Sequence, residues 1–132
     1  MGDNNMPTKP IIGKRNNKRF QILNCRVQLK SNGILGLFGK ELHHLSLVNL
    51  STAGIQAISS KKLSNKKEYD IAIVAPAFRY PISARGRVVW NKPFTTDEQQ
   101  RYYRIGLEFT YFKGQAIDKI ESLKLNPKLR EI

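Results

Sequence analysis

Apolar and polar residues alternate strictly through the middle of this chain, and that pattern leaves few folds open. Tyr69, Ile71, Ile73 and Ala75 alternate until Pro76 ends the run, and Ile82, Ala84, Gly86, Val88 and Trp90 share one face of the next segment. Tyr103, Ile105, Leu107 and Phe109 give the clearest case, with Arg104, Glu108 and Thr110 on the opposite face. A period of two is that of a β-strand with one face buried. Phe20 and Ile22, followed by Cys25, Val27 and Leu29 on the other parity, predict a further strand with a bulge near Asn24. Leu45 to Leu50 and Ile55 to Ile58 predict two short strands around a turn at 49–54. Residues 61–68 read as a basic surface loop and 92–101 as a polar connector, while Gly33, Gly36 and Gly39 break up a short apolar run that the pattern does not assign. The period changes only after Gly114, where Ala116, Ile117, Ile120 and Leu123 follow helical spacing until Pro127. About six short strands and then one amphipathic helix predict an all-β domain, a small antiparallel barrel with a C-terminal α-helix, rather than a βαβ arrangement.

With 132 residues the chain is long enough for a single hydrophobic core and short for two. No apolar run approaches the ~20 residues of a membrane-spanning helix, and the N-terminal residues show no signal-peptide core, so a cytoplasmic protein is expected. The single cysteine, Cys25, allows no internal disulfide and fits a reducing compartment as a buried structural thiol. A net charge of +13 makes the preferred partner anionic without saying which anion. Part of that charge is concentrated in one place. Residues 1–13 read as a flexible arm, and Lys9, Lys14, Arg15, Lys18 and Arg19 place five cations and no anion between positions 9 and 19. Such a segment repels itself and orders on meeting a multivalent anion.

Two motifs in this order give the charge a meaning. Arg15-Asn16-Asn17-Lys18-Arg19 reads as RxxxR, and Asn49-Leu50-Ser51-Thr52-Ala53-Gly54, about 30 residues further on, reads as [D/N]xSxxG. Together with the Gly86–Trp90 and Tyr103–Phe109 strands and the terminal helix, they resemble the PilZ domain over residues 14–125, with residues 126–132 left as a short tail. The resemblance implies a six-stranded Greek-key barrel that binds cyclic di-GMP. It also implies that Arg15 and Arg19 on the arm, and Asn49, Ser51 and Gly54 on a barrel loop, hold the ligand, with Lys14 adding a phosphate contact and Trp90 touching a guanine.

The chemistry of these residue types agrees with that implication. Guanine presents N7 and O6 as adjacent acceptors, and the planar fork of arginine matches that pair as well as a phosphate. A short amide and a hydroxyl suit a base edge, and glycine permits close backbone approach. The resemblance implies Asp or Asn at the first position of this motif, and Asn49 lacks the carboxylate charge that an Asp would bring to the site. Each motif also has a plainer reading. The arginines fit a solvated basic tail, the six-residue motif fits an ordinary hairpin turn, and the parity of Trp90 fits core packing.

His43 and His44 lie in no metal-ligand spacing, no carboxylate pair suits acid–base work and no phosphate-loop or nucleophile pattern is present, so a non-enzymatic receptor with no metal and no cofactor is expected. Its partners would be cyclic di-GMP and a downstream protein that the ligand-ordered arm regulates. The competing expectation is a basic barrel that binds single-stranded nucleic acid along Lys61, Lys62, Lys66, Lys67, Arg85 and Arg87.

Overall fold

The computed structural model of the protein describes residues 18–31 and 41–131. The arm's Lys14 and Arg15, and the run containing Gly33, Gly36 and Gly39, lie outside these residues. Six strands, β1 (Arg26–Ser31), β2 (Glu41–Leu50), β3 (Gly54–Ser59), β4 (Glu68–Val74), β5 (Ile82–Thr95) and β6 (Arg101–Phe112), precede one helix, α1 (Ala116–Leu125). The strands close into a barrel in the order β1-β2-β3-β6-β5-β4, and every neighbouring pair is antiparallel. Three consecutive strands therefore run side by side, and β4 returns to lie beside β1, which is the Greek-key connection.

The alternation identified in the sequence does what a half-buried strand requires. Val27, Leu29, Ile55, Ile73, Ile82, Val88 and Ile105 are fully buried and converge from all parts of the sheet into one core. Helix α1 covers this core with Ala116, Ile120 and Leu123. Ile117, expected on the same face, is exposed instead, because it lies a quarter-turn away from the line joining Ala116 and Ile120. A single 3-10 turn, Pro127–Arg130, then brings the chain back to the start of the domain. There the Arg130 guanidinium sits 4.9 Å from the centre of the Phe20 ring, and Leu23 N–H donates to the Arg130 carbonyl at 2.8 Å.

Two regions depart from the sequence expectation. Residues 92–101 are no mere connector, since half of them extend β5 and β6 into a long hairpin closed between Thr96 and Gln100, with Gln99 in the left-handed conformation. The polar composition concealed them because the hairpin projects past the core and buries neither face. At Asn24 the chain makes a turn with φ of 56°, and β1 begins only at Arg26. The change of parity there comes from that turn rather than from a bulge inside a strand.

Cys25 is half-buried, and loss of water around it pushes its thiol up to about 11. The folded state therefore disfavours the thiolate. Stability from this group is full below the ordinary thiol value of 9.0 and is lost as pH rises toward 11. Alkylation of the native protein by iodoacetamide at pH 8 is expected to be many times slower than that of the urea-unfolded chain. Equal rates would contradict the burial.

Candidate functional site

Two β-bulges build the outer face of the barrel where the motif residues meet. Along the β3–β6 ladder, Ala57 and Leu107 point inward, whereas Gln56 and Gly106, paired with each other, point outward. The partner strands on both sides would ordinarily continue the same alternation. On one side β2 slips by a residue between Leu47 and Asn49, which sets Asn49 opposite Gln56. On the other, β5 slips between Val88 and Trp90, which sets Trp90 opposite Gly106. Each extra residue reverses the parity beyond it. The outcome is one row across four strands, Asn49–Gln56–Gly106–Trp90, with all four on the outside. Trp90 consequently leaves the inner face to which its spacing from Val88 had assigned it.

Gly106 is fixed by this arrangement. A Cβ built there would stand 2.3 Å from Trp90 Nε1 and 2.4 Å from its Cε2, so the indole occupies the space a side chain would fill. Lys92, two residues further along the same face, holds its ammonium 5.8 Å from the centre of the Trp90 ring.

The row is joined by hydrogen bonds at its other end. Arg19 NH1 donates to Asn49 Oδ1 at 3.0 Å, Asn49 Nδ2 donates to Gln56 Oε1 at 3.4 Å, and Arg104 NH2 donates to the same Gln56 oxygen at 2.9 Å. The second arginine of the first motif and the first residue of the second motif are thus in contact, although 30 residues apart. Phe20, the next residue, exchanges backbone hydrogen bonds of 2.9 and 2.8 Å with Leu50, which fastens the arm's exit to the barrel beside Asn49. Partial burial lowers the Arg19 guanidinium from its ordinary value, and it remains a cation at any physiological pH. Arg19 also borders a cavity of about 230 Å³ shared with Lys18, Phe20, Lys124 and Arg130. A larger depression of about 620 Å³, between Gln21, Leu23 and the 127–131 segment, lies away from the row.

Ser51 and Gly54 shape the loop from within. Ser51 is fully buried; its Oγ accepts from Ala53 N–H at 3.0 Å, and its own N–H donates to the Gly54 carbonyl at 2.9 Å. A Cβ on Gly54 would stand 2.0 Å from the Leu107 carbonyl oxygen, so only glycine lets β3 approach β6 here. Within the described residues, these two hold the turn that presents Asn49, and they do not project toward solvent.

The charges on the remaining outer surface are disposed differently. Arg85 and Lys113 both reach Asp70, at 3.3 and 3.4 Å, and Arg87 meets Glu108 at 2.6 Å. Burial alone would raise the Asp70 carboxyl, but its bonds to Arg85 and Lys113 outweigh that and hold it below its ordinary value. Among the described residues, Arg19, Lys92 and Arg104 have no carboxylate partner. These three cations, gathered around one row, are thus available to an anion.

Gln56, Lys92, Arg104 and Gly106 were not singled out in the sequence. Gly106 offered the one usable signal, as a glycine inside an otherwise unbroken alternating strand. Among the described residues no helix is long and apolar enough to cross a membrane, and no group of His, Cys, Asp or Glu could hold a metal ion.

Comparison with known proteins agrees with this architecture. No curated protein matches the chain in sequence. Among solved structures, it is similar to K. pneumonia MrkH in complex with c-di-GMP, with a TM-score of 0.63 and 18% identity over 87% of this chain and 52% of that one. It is also similar to the PilZ domain with c-di-GMP of YcgR from Escherichia coli, with a TM-score of 0.61 and 11% identity over 89% of this chain and 95% of that one. The Bacillus subtilis inhibitor of motility MotI/DgrA gives a TM-score of 0.60 and 15% identity over 87% of this chain and 51% of that one. The chain thus spans about half the length of MrkH and MotI, and at these identities the likeness is one of fold. The sequence profile of the PilZ domain matches residues 13–125. With the closed Greek-key barrel, Arg19 docked on Asn49 and a profile match over most of its length, the chain belongs to the PilZ domain family.

Proposed function

We propose that this protein is a receptor for cyclic di-GMP, which it binds on the outer row of the barrel, and that binding folds the arm over the ligand and changes the surface offered to a partner protein. The observation that carries this reading is the Arg19–Asn49 contact, which joins the two motifs at the edge of a row whose cations lack carboxylates. Each part of the row suits one part of the ligand. Arg19 presents a guanidinium fork for a guanine edge or a phosphate, and the Asn49 amide suits the N1–H and N2–H side of a guanine. The Trp90 indole offers a flat surface for stacking a purine. Ser51 and Gly54 act through the loop they hold, and Lys14 and Arg15 extend the same cationic arm toward the phosphates. The family and the solved relatives named with c-di-GMP support the choice of ligand. The binding chemistry needs neither a cofactor nor a catalytic group, and a cytoplasmic location is where such a ligand would be met.

The nucleic-acid alternative loses support at its own residues. Of the six cations assigned to a phosphate track, Arg85 and Arg87 are engaged by Asp70 and Glu108, and the Lys67 ammonium lies 5.5 Å from the Tyr69 ring centre.

The test is fluorescence titration. Trp90 is the sole tryptophan, so cyclic di-GMP is expected to change its emission with saturation in the micromolar range or below, and Trp90→Leu should abolish the signal and weaken binding measured by calorimetry. Unchanged emission at saturating ligand would place the ligand elsewhere.

A further inference from the structure

Beside the row lies a feature that neither motif contains. Arg104 is exposed on β6, and its guanidinium is held by the Gln56 oxygen at 2.9 Å. That oxygen also receives Asn49, so Arg19, Asn49, Gln56 and Arg104 form one hydrogen-bonded chain from four parts of the sequence. Two guanidinium groups thus flank a pair of amides, and no described carboxylate neutralises either one. In register, Arg104 pairs with Lys92, two positions along the hairpin from the Trp90–Gly106 pair. Bulge and pleat place Trp90, Lys92 and Arg104 on the same face. Diagonal neighbours on such a face lie ~7–8 Å apart, within reach of a side chain as long as arginine.

We propose that Arg104, oriented by Gln56, is a base-reading residue of this site, its guanidinium donating to the N7 and O6 acceptors of a guanine stacked on Trp90. The inference rests on the receptor reading above and assigns the second guanine of the ligand to residues outside both motifs. Three features favour a base over a phosphate contact. The Gln56 bond fixes the plane of the guanidinium, and a fixed plane matters for a two-acceptor edge more than for a rotating phosphate. An indole beside it supplies the stacking surface that puts a purine edge within reach. Lys92, on the same face, is the compact point charge better suited to the phosphate.

The experiment measures calorimetric affinities of the full chain and of Arg104→Ala, Arg104→Lys and Gln56→Leu for cyclic di-GMP and for cyclic di-AMP. The latter carries the same phosphates but an amino donor in place of O6. All three substitutions are on the surface, and unchanged melting curves establish that the variants fold. Arg104→Ala is expected to weaken cyclic di-GMP about tenfold or more while changing cyclic di-AMP little, so that selectivity falls. Arg104→Lys should fail to restore selectivity despite keeping the charge, and Gln56→Leu should reduce it in the same direction. If wild type binds cyclic di-GMP and Arg104→Ala binds it equally well, or if Arg104→Ala weakens both ligands alike and Arg104→Lys restores both, the base-reading role is overturned and the receptor reading stands. If wild type binds neither ligand, the receptor reading itself is overturned, and this inference with it.

Discussion

Arg19→Ala is expected to weaken cyclic di-GMP binding by roughly tenfold to a hundredfold, the range for losing one bidentate contact to a base edge or phosphate. The structure makes this a clean substitution. Arg19 is exposed, its described side-chain partner is Asn49, and the backbone bonds that dock the segment belong to Phe20 and Leu50, so the fold does not depend on its guanidinium. Asn49 keeps Gln56 as a neighbour when Arg19 is removed. Lys61→Ala is the matched control, because it removes the same unit of charge from an exposed loop residue that makes no described contact with the row, and it should change affinity by less than about twofold. Titration calorimetry at two salt concentrations separates the cases. If Arg19→Ala and Lys61→Ala lose affinity equally, total charge sets the binding and the row is not the site.

Gly54→Ala is expected to be the most damaging single methyl addition in the described chain. Its Cβ would stand 2.0 Å from the Leu107 carbonyl oxygen and 3.0 Å from Glu108 Cα, both backbone atoms that no rotamer change can move. Relief requires β3 and β6 to separate where Phe109 N–H donates to the Ala53 carbonyl and where the fully buried Ile55 packs beside Leu107. Overpacking of this kind costs about 3 kcal/mol or more, a large part of the stability of a domain this size. For this chain length the melting temperature should fall by about 10 °C or more. Cyclic di-GMP binding should fall with it, since the same turn positions Asn49. A melting temperature within about 2 °C of wild type would show that the two strands have room to spare.

These two residues also mark what the sequence could and could not disclose. Strand existence was legible from Tyr69 to Ala75 and from Tyr103 to Phe109, because each strand buries one face and the core imposes a period of two. Both motifs were legible because each is local in sequence, and reading them together assigned them to one ligand, but the direct Arg19–Asn49 contact is seen only in the structure. The face occupied by Trp90 was not legible. Its parity with Val88 pointed inward, and only the register against Gly106 reveals the extra residue that turns it outward. Asn49 was read as the start of a turn for the same reason, although it lies within β2 beyond a bulge. Arg104 was read only as an outward-facing strand residue and Gln56 not at all, because their relation exists only once β3 and β6 pair. The stretch 92–101 failed for a different cause, since a hairpin extending past the core carries no burial pattern to detect.

Whether the arm and the outer row together form a cyclic di-GMP site is decided by isothermal titration of the full chain with cyclic di-GMP and cyclic di-AMP. Cyclic di-GMP is expected to bind with a dissociation constant of about 1 μM or tighter, at least ~8 kcal/mol of standard free energy, and cyclic di-AMP at least about tenfold more weakly. No heat of binding from folded protein at cyclic di-GMP concentrations of about a hundred times that value, or equal affinity for the two dinucleotides, would contradict it.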